Sequence, residues 1–582
     1  MSDSIQHECG VTLLRLRKPL AHYAEKYGTA AYGYEKLSLL LEKQHNRGQD
    51  GAGIACVGLE VPPGHPFYHL EKSCSSMPLA DLLERISAKM NQAGPEPAPD
   101  QIQTLQRPFC GEVYLGHVRY GTFGTRTLAA CHPVVREEFR RDKTMLLAGN
   151  FNLTNTKSVF AELTQAGYHP RGQQDCEVLL ISLSQALDTH PGDLESAVRE
   201  ASRKWDGGYA ICGVMGNGDS FAFRDPRGIR PAFYHVDPEV VVVASERVAI
   251  QTAFNLPIQD VQELPPGYLL TVSAAGCVSL KPCMEPQQLR KCVFERIYFS
   301  RGNDADIQQE RRALGGAVVP QVLDAVDHDF DHTVFSYIPN TAQISFHGML
   351  SALDDYRDGH KLRFGMVAVK DAKFRTFISD ASKRADLFPH VYDVSYGLVH
   401  PDEDNLVVID DSIVRGNTMR KAILPILDRL CPKRIVVVSS APQIRYPDCY
   451  GIDMASFGEL VAFQACMDLI HRTGRQELFQ EAVRLAKEDL YRPDFRMKNR
   501  ALMLYEPFSD QEITDAICRR LKPDNLKAEL KVVFLSCQDL RRCIPNHTGD
   551  WYFTGDYPTP GGNRVVNQAL VNYAENLSGR AY

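Results

Sequence analysis

Leu406-Val-Val-Ile-Asp-Asp-Ser-Ile-Val-Arg-Gly-Asn-Thr418 is the stretch whose reading decides the fold. Four apolar residues, Leu406 to Ile409, have the length and composition of a buried strand. Met419-Arg-Lys-Ala-Ile-Leu-Pro-Ile-Leu-Asp-Arg-Leu430 follows with helical apolar spacing, and Arg434-Ile-Val-Val-Val438 reads as a second strand. Strand, helix and strand make a parallel β-α-β unit. Ligands of such sheets collect at the carboxyl ends of the strands, where Asp410 and Asp411 fall. Ser412 to Thr418 then offer backbone N–H groups to an anion at a helix N-terminus. Two acids beside an anion cradle suit a sugar phosphate, with carboxylates for hydroxyls and amides for phosphate. The plainer reading makes Asp-Asp a solvated strand end and Gly416 a turn; the length of the matching string argues against it.

The segment resembles the phosphoribosylpyrophosphate (PRPP) motif of type I phosphoribosyltransferases. That resemblance implies that Asp410 and Asp411 grip the ribose 2′ and 3′ hydroxyls. It implies that Ser412, Arg415, Gly416, Asn417 and Thr418 hold the 5′-phosphate. Asn417 stands where the family commonly has a small hydroxyl residue, but its backbone N–H is retained.

At 582 residues the chain has room for two or more domains with substantial cores. Its 44% hydrophobic and 24% charged residues describe an ordinary globular protein. A net charge of −7 leaves no electrostatic footprint for nucleic acid. Neither a bilayer-spanning apolar run nor a secretory signal segment is present, so no membrane association is expected. Sixteen scattered cysteines without a C-x-x-C pair read as reduced thiols, which predicts a cytoplasmic protein.

The first half alternates strands and helices up to Glu263-Leu-Pro-Pro-Gly-Tyr-Leu-Leu-Thr-Val272, and Lys281-Pro-Cys-Met-Glu-Pro286 reads as a hinge. The expected division is a short leader (1–8), a first domain (9–275), a second (285–505) and a C-terminal extension of unassigned role (506–582). In the second domain, 304–328 is helix-like, and Thr333–Ile338 and Phe364–Val369 read as further strands of a doubly wound α/β sheet. The Pro-rich stretch 91–100 is expected to be a surface insertion.

Five motifs of the first half belong together. Cys9-Gly-Val leads into an apolar segment, and taken alone it would be a buried strand cysteine. Gln44-His-Asn-Arg-Gly-Gln-Asp-Gly-Ala-Gly-Ile54 sets Arg47 among glycines, and Leu115-Gly-His-Val-Arg-Tyr-Gly-Thr122 ends a strand on Arg119. Ala148-Gly-Asn-Phe-Asn-Leu-Thr-Asn155 supplies amides, and Gln174-Asp-Cys-Glu-Val178 places an acid at a helix start. In this order they resemble the glutamine site of class II amidotransferases, which are N-terminal-nucleophile (Ntn) hydrolases with a four-layer αββα sandwich. The resemblance implies that the leader is removed after Glu8, so that Cys9 is the nucleophile with its own α-amine as general base. It makes Asn150 and the Phe151 N–H the oxyanion hole. Arg119 pairs with the glutamine carboxylate and Asp175 with its ammonium, with Arg47 and Thr122 in support. Where the family usually has His-Asn-Gly-Asn-Leu, this chain has Gly149-Asn-Phe-Asn-Leu153. A backbone donor needs no particular side chain, although Phe151 restricts φ where glycine would not.

An ammonia-producing domain followed by a PRPP domain resembles the glutamine PRPP amidotransferases, from Cys9 to about residue 505. That resemblance implies glutamine hydrolysis, then attack of ammonia on ribose C1 with loss of pyrophosphate, giving 5-phosphoribosylamine. Pro339, Asn340 and Thr341 are implied to hold pyrophosphate, and Lys370 and Arg375 to lie on a loop closing over it; a merely solvated charged loop is the competing reading. Mg²⁺ is the expected cofactor, with Asp410 and Asp411 as its protein ligands. One branch of the family carries an iron–sulfur cluster, which needs four thiolates. Here only Cys292 falls in a ligand slot, Asp448 takes the second, and Cys537 and Cys543 are wrongly spaced, so no cluster is expected. The resemblance further implies a homo-oligomer, dimer or tetramer, and purine nucleotide feedback ligands, although the sequence after Ile378 departs from the family's basic run. Two other readings stay open: a non-catalytic relative that senses PRPP or nucleotides, and a different amidotransferase such as a glucosamine-phosphate synthase or asparagine synthetase. The PRPP motif argues against the last.

Overall fold

Alternation along the N-terminal strands builds two sheets that share one core. In the strand Gly10–Leu16, Val11 and Leu13 face one side while Leu14 and Leu16 face the other. The structure, a computed structural model, describes residues 9–94, 107–121, 127–172, 174–285, 287–339, 341–370, 392–452, 454–493, 496–577 and 581. The seven-stranded sheet runs in the order Gln262–Glu263, Phe233–Val236, Val240–Ala244, Gly10–Leu16, Val113–Arg119, Gly51–Val57, Tyr68–Ser73. The six-stranded sheet runs Val278–Pro282, Tyr268–Val272, Ser220–Arg224, Gly207–Met215, Met145–Leu153, Val134–Arg136. All their pairings are antiparallel.

Val11, Leu13 and Leu115 of one sheet meet Leu146, Ala148 and Ala210 of the other in a buried layer. The helices Tyr32–Glu42 and Pro78–Gln92 bury Leu37, Leu41, Leu82 and Ile86 on the outer face of the first sheet. Leu179, Leu183, Ala197 and Val198 of two further helices cover the second. The result is the expected αββα sandwich.

The second unit is built on a five-stranded, all-parallel sheet ordered Arg363–Phe364, Thr333–Tyr337, Asn405–Asp410, Arg434–Ser439, Glu529–Phe534. Its central strands are buried on both faces, as a sheet covered by crossover helices requires.

Two elements differ from the sequence reading. Phe364–Val369 is not one strand: Arg363–Phe364 ends the main sheet, and Ala368–Lys370 pairs with Tyr392–Val394 in a separate ribbon. The helix after Thr418 is wide over Met419–Ile423, α-helical only over Leu424–Leu427 and 3₁₀ over Asp428–Leu430. Pro425 accounts for this, since it has no N–H for the regular ladder and its ring crowds the preceding turn.

The boundaries also shift. One compact unit reaches residue 292 and includes 449–452, so Val278–Pro282 is part of it. The other takes 293–448 and 454–577. Residues 506–577 are therefore no appendage: Glu529–Phe534 is the fifth strand of the parallel sheet. The stretch Cys543–Phe553, for which sequence offered no mechanism, is packing. Arg445 and Tyr446 donate their N–H groups to the Tyr552 carbonyl at 2.8 and 3.0 Å, and the Tyr552 ring meets Phe294 edge-on. No helix among the described residues is long and apolar enough to cross a membrane.

Candidate functional site

Cys9 stands half-buried at the mouth of the strand Gly10–Leu16, and the adjacent glycine is what lets it sit there. A Cβ on Gly10 would come within 2.8 Å of Val118 Cγ2. The neighbouring strand Val113–Arg119 runs antiparallel, pairing Gly10 with Val118, so Arg119 and the following turn border the thiol. The thiol donates to the Tyr120 carbonyl at 3.8 Å. Burial pushes the Cys9 thiol up, the charges of Arg119 and Arg47 pull it down, and Asp50 opposes them. The net shift is upward, so attack on a substrate needs a base.

Arg47 comes from the short turn His45–Arg47 and is locked by Glu246, whose Oε1 accepts from its Nε at 2.8 Å. Both side chains are nearly inaccessible, at 1% and 2% exposure, so this is a fully desolvated ion pair. Gly48 is obligatory here, because a Cβ would lie 2.5 Å from the Val118 carbonyl carbon and 2.6 Å from the Arg119 nitrogen. Asp50 closes the ring of contacts: its N–H donates to the Arg119 carbonyl at 3.0 Å and its Oδ2 accepts from the Gly121 N–H at 3.0 Å. Asp50, Glu246 and the Tyr120 carbonyl had no role in the sequence reading. Glu246 carried a signal, since it ends the buried strand Val240–Ala244 in a Ser-Glu pair where a solvated loop would be expected.

Asn150 and Phe151 lie in the strand Met145–Leu153 of the other sheet, Asn150 buried and Phe151 half-buried in extended backbone. The restriction of φ expected at Phe151 is thus met by a regular strand conformation. A cross-sheet contact ties this strand to the one bearing Arg119: His117 Nε2 lies 3.2 Å from the Gly149 carbonyl. Asp175 begins the helix Asp175–Thr189 and accepts from the Leu153 N–H at 2.9 Å and the Thr156 hydroxyl at 2.8 Å. Those bonds fix the end of the Asn150 strand. Cys9, Arg47, Asp50 and Arg119 thus form one cluster. Residues 1–8 and Thr122 lie outside the described residues.

In the second unit Asp410 ends its strand as the sequence predicts, and Asp411 and Ser412 follow it, all three buried. The Asp411 N–H donates to Asp410 Oδ1 at 2.9 Å, and the Ser412 hydroxyl to Asp411 Oδ1 at 2.8 Å. Burial pushes the Asp411 carboxyl up to about 6, against the Ser412 hydroxyl and the Arg311 guanidinium, which pull it down. Ile413 and Val414 bury their side chains and anchor the loop. Gly416 has φ +72°, and a Cβ there would lie 2.4 Å from Leu521 Cδ2. Arg415 reaches Glu459 at 2.9 Å.

The strand Thr333–Tyr337 pairs beside the Asp410 strand, and the Ile338 N–H donates to the Ile409 carbonyl at 2.9 Å. Pro339 and Thr341 therefore flank the same sheet end. Asn340 and Arg375 lie outside the described residues, as do 371–391 and 95–106. Lys370 ends the strand Ala368–Lys370.

Among the described residues no group of three or more His, Cys, Asp or Glu side chains is arranged to cage a metal. Two adjacent carboxylates suit Mg²⁺, which keeps several waters and takes its remaining ligands from substrate phosphates. Asp448 accepts from the Trp551 indole N–H at 3.0 Å.

A sequence profile of the glutamine amidotransferase domain matches residues 131–252. The amidophosphoribosyltransferase of Pasteurella multocida is 30% identical over 462 residues, covering 75% of this chain and 81% of its own. That of Escherichia coli is 28% identical over 461 residues, with the same coverage of 75% and 81%. The solved glutamine PRPP amidotransferase of B. subtilis, complexed with ADP and GMP, matches with a TM-score of 0.64 at 21% identity, over 95% of this chain and 97% of its own. At that identity the structural likeness speaks for the fold.

Proposed function

Since this chain belongs to the amidophosphoribosyltransferase family, we propose that its two sites carry the two halves of one reaction. The protein hydrolyses glutamine and transfers the ammonia to PRPP, giving glutamate, pyrophosphate and 5-phosphoribosylamine, the first step of purine synthesis. The observation that carries the reading is the convergence of Arg47, Asp50 and Arg119 on the Cys9 thiol.

In the first half-reaction Arg119 binds the glutamine carboxylate and Asp175 its ammonium. The Cys9 thiol loses its proton to the α-amine exposed by leader removal and attacks the side-chain amide. Asn150 and the Phe151 N–H hold the oxyanion, the proton passes to the leaving nitrogen, and water releases glutamate. In the second, Asp410 and Asp411 accept the ribose hydroxyls and the amides of 412–418 hold the 5′-phosphate. Ammonia displaces pyrophosphate at C1. Asp410 and Asp411 would hold Mg²⁺, which would supply charge neutralisation for the leaving group. Pro339 and Thr341 border the pyrophosphate. An iron–sulfur cluster has no part in this scheme, because Asp448 stands in a ligand slot and bonds Trp551.

Sixteen scattered cysteines without a C-x-x-C pair fit a reducing cytoplasm. Purine nucleotides are the regulators to try first, since the B. subtilis structure holds ADP and GMP. A homo-oligomer completes the proposal.

The test is pyrophosphate release from PRPP with glutamine or with ammonia, for the wild type and Cys9→Ala. The mutant should lose only the glutamine-dependent rate. No pyrophosphate from the wild type under either condition would overturn the reading.

A further inference from the structure

We propose that the Phe151 ring, stacked on His132, is a positioning element that aims the oxyanion-binding N–H of residue 151. The inference rests on the role given above to the Phe151 N–H and deepens it.

The strand Met145–Leu153 is paired along its whole length on one edge, by Gly207–Met215. On its other edge Val134–Arg136 covers only Met145 to Leu147. Beyond that point two imidazoles take over from a strand. The Gly149 N–H donates to His132 Nδ1 at 3.4 Å, and the Gly149 carbonyl faces His117 Nε2 at 3.2 Å. Alternate residues of a strand direct their N–H groups to the same edge. The Phe151 N–H is therefore the next donor along the edge that the histidines line, between the supported N–H groups of Gly149 and Leu153.

Side chains two apart share a face of the strand. A Cβ on Gly149 would lie 2.7 Å from Phe151 Cδ1 and 2.9 Å from Cε1, so the Phe151 ring folds back over the glycine and fills its side-chain space. There it lies nearly parallel to His132, with centroids 5.2 Å apart and planes at 18°. His132 in turn packs on His117, at 4.2 Å and 36°. Three rings thus form one column, held to the strand by both backbone groups of Gly149 and by the side chain of Phe151.

The hydrogen bonds call for neutral rings, with an unprotonated Nδ1 on His132 and a protonated Nε2 on His117. Burial supplies this state, aided by the charges of Lys72 and Arg119: His132 is pushed down to about 3, and His117 well below its ordinary range. An oxyanion donor works only if it points at where charge develops. Glycine at 149 leaves the strand soft at that point, and the ring column restores its stiffness.

Glutamate release by the full chain tests this. Phe151→Ala and His132→Ala should each lower kcat roughly 10- to 100-fold, as small misplacements of catalytic groups do, with KM for glutamine within about threefold of wild type. Because His132→Ala already removes the ring contact that Phe151→Ala removes, the double variant should be no worse than the poorer single one. Phe151→Tyr keeps the ring and should recover most of the loss. Phe151→Leu, which keeps volume without a stackable ring, should lose kcat as Phe151→Ala does, and it guards against a simple folding failure, which the unfolding midpoint monitors. A rise in KM with unchanged kcat, multiplicative losses in the double variant, or a Tyr variant as poor as Ala would each overturn the proposal. If the wild type itself releases no glutamate, the failure lies in the functional reading.

Discussion

The Cys9 pocket collects its polar groups from residues 47–50, 119–121 and 246, brought together at strand ends of one sheet. The Asp410 loop holds its polar groups in the single run 410–418, carried by one strand end. A pocket of the first kind depends on supports distant in sequence, such as Glu246 behind Arg47. A loop of the second kind is nearly self-sufficient once its strand is buried. The electrostatics differ too. Guanidinium groups border the thiol, whereas buried acids crowd the loop.

This contrast can be broken most sharply at the acids. Asp410→Asn combined with Asp411→Asn should abolish two charged contacts of about 1.5–3 kcal/mol each, lowering both the glutamine- and the ammonia-dependent pyrophosphate rates by roughly 10² to 10⁴. Glutamate release from glutamine should persist; its parallel loss would deny that the two sites are separable. Next in size is Glu246→Ala, which removes the buried carboxylate paired with the Arg47 guanidinium. It should cost about 3–5 kcal/mol in urea unfolding of the first unit and take the glutaminase activity with it. A loss below about 1 kcal/mol would contradict the desolvated pair.

Gly416→Ala tests the loop's backbone. Left-handed φ and contact with Leu521 should together cost about 1–3 kcal/mol, read as a raised KM for PRPP with the glutaminase rate unaffected. The smallest effect concerns pH. With its carboxyl raised to about 6, Asp411 is mostly protonated below pH 6 and ionised above it. The apparent affinity for PRPP with Mg²⁺ should therefore weaken as pH falls through 6, by up to about tenfold per unit. Asp411→Asn should flatten that slope, and an unchanged slope would remove Asp411 from the site.

Much of the second unit was legible because its strands are buried on both faces and so read as unbroken apolar runs, as at Leu406–Ile409 and Ile435–Val438. Glu529–Phe534 escaped notice although Glu-Leu-Lys-Val-Val-Phe carries a strand's alternation. It lies some ninety residues beyond its partner strand, and parallel pairing leaves no hairpin signal. The broken helix after Thr418 was foreseeable from Pro425 alone. In the first unit the motifs named Cys9, Arg47, Arg119, Asn150 and Asp175, but nothing local marked His132 as a neighbour of Phe151.

By itself the sequence determined the periodicities that make two sheet types, the Asp-Asp loop at a strand end and the choice of Cys9 as candidate nucleophile. These are local, since they follow from residues within one element or one turn. Only the tertiary structure decided which charges face the Cys9 thiol, that Glu246 neutralises Arg47, and that an aromatic column lines the edge beside the oxyanion donor. Those contacts join residues about 20 to 200 positions apart, and their energies depend on burial and direction, which exist only once the two sheets have packed.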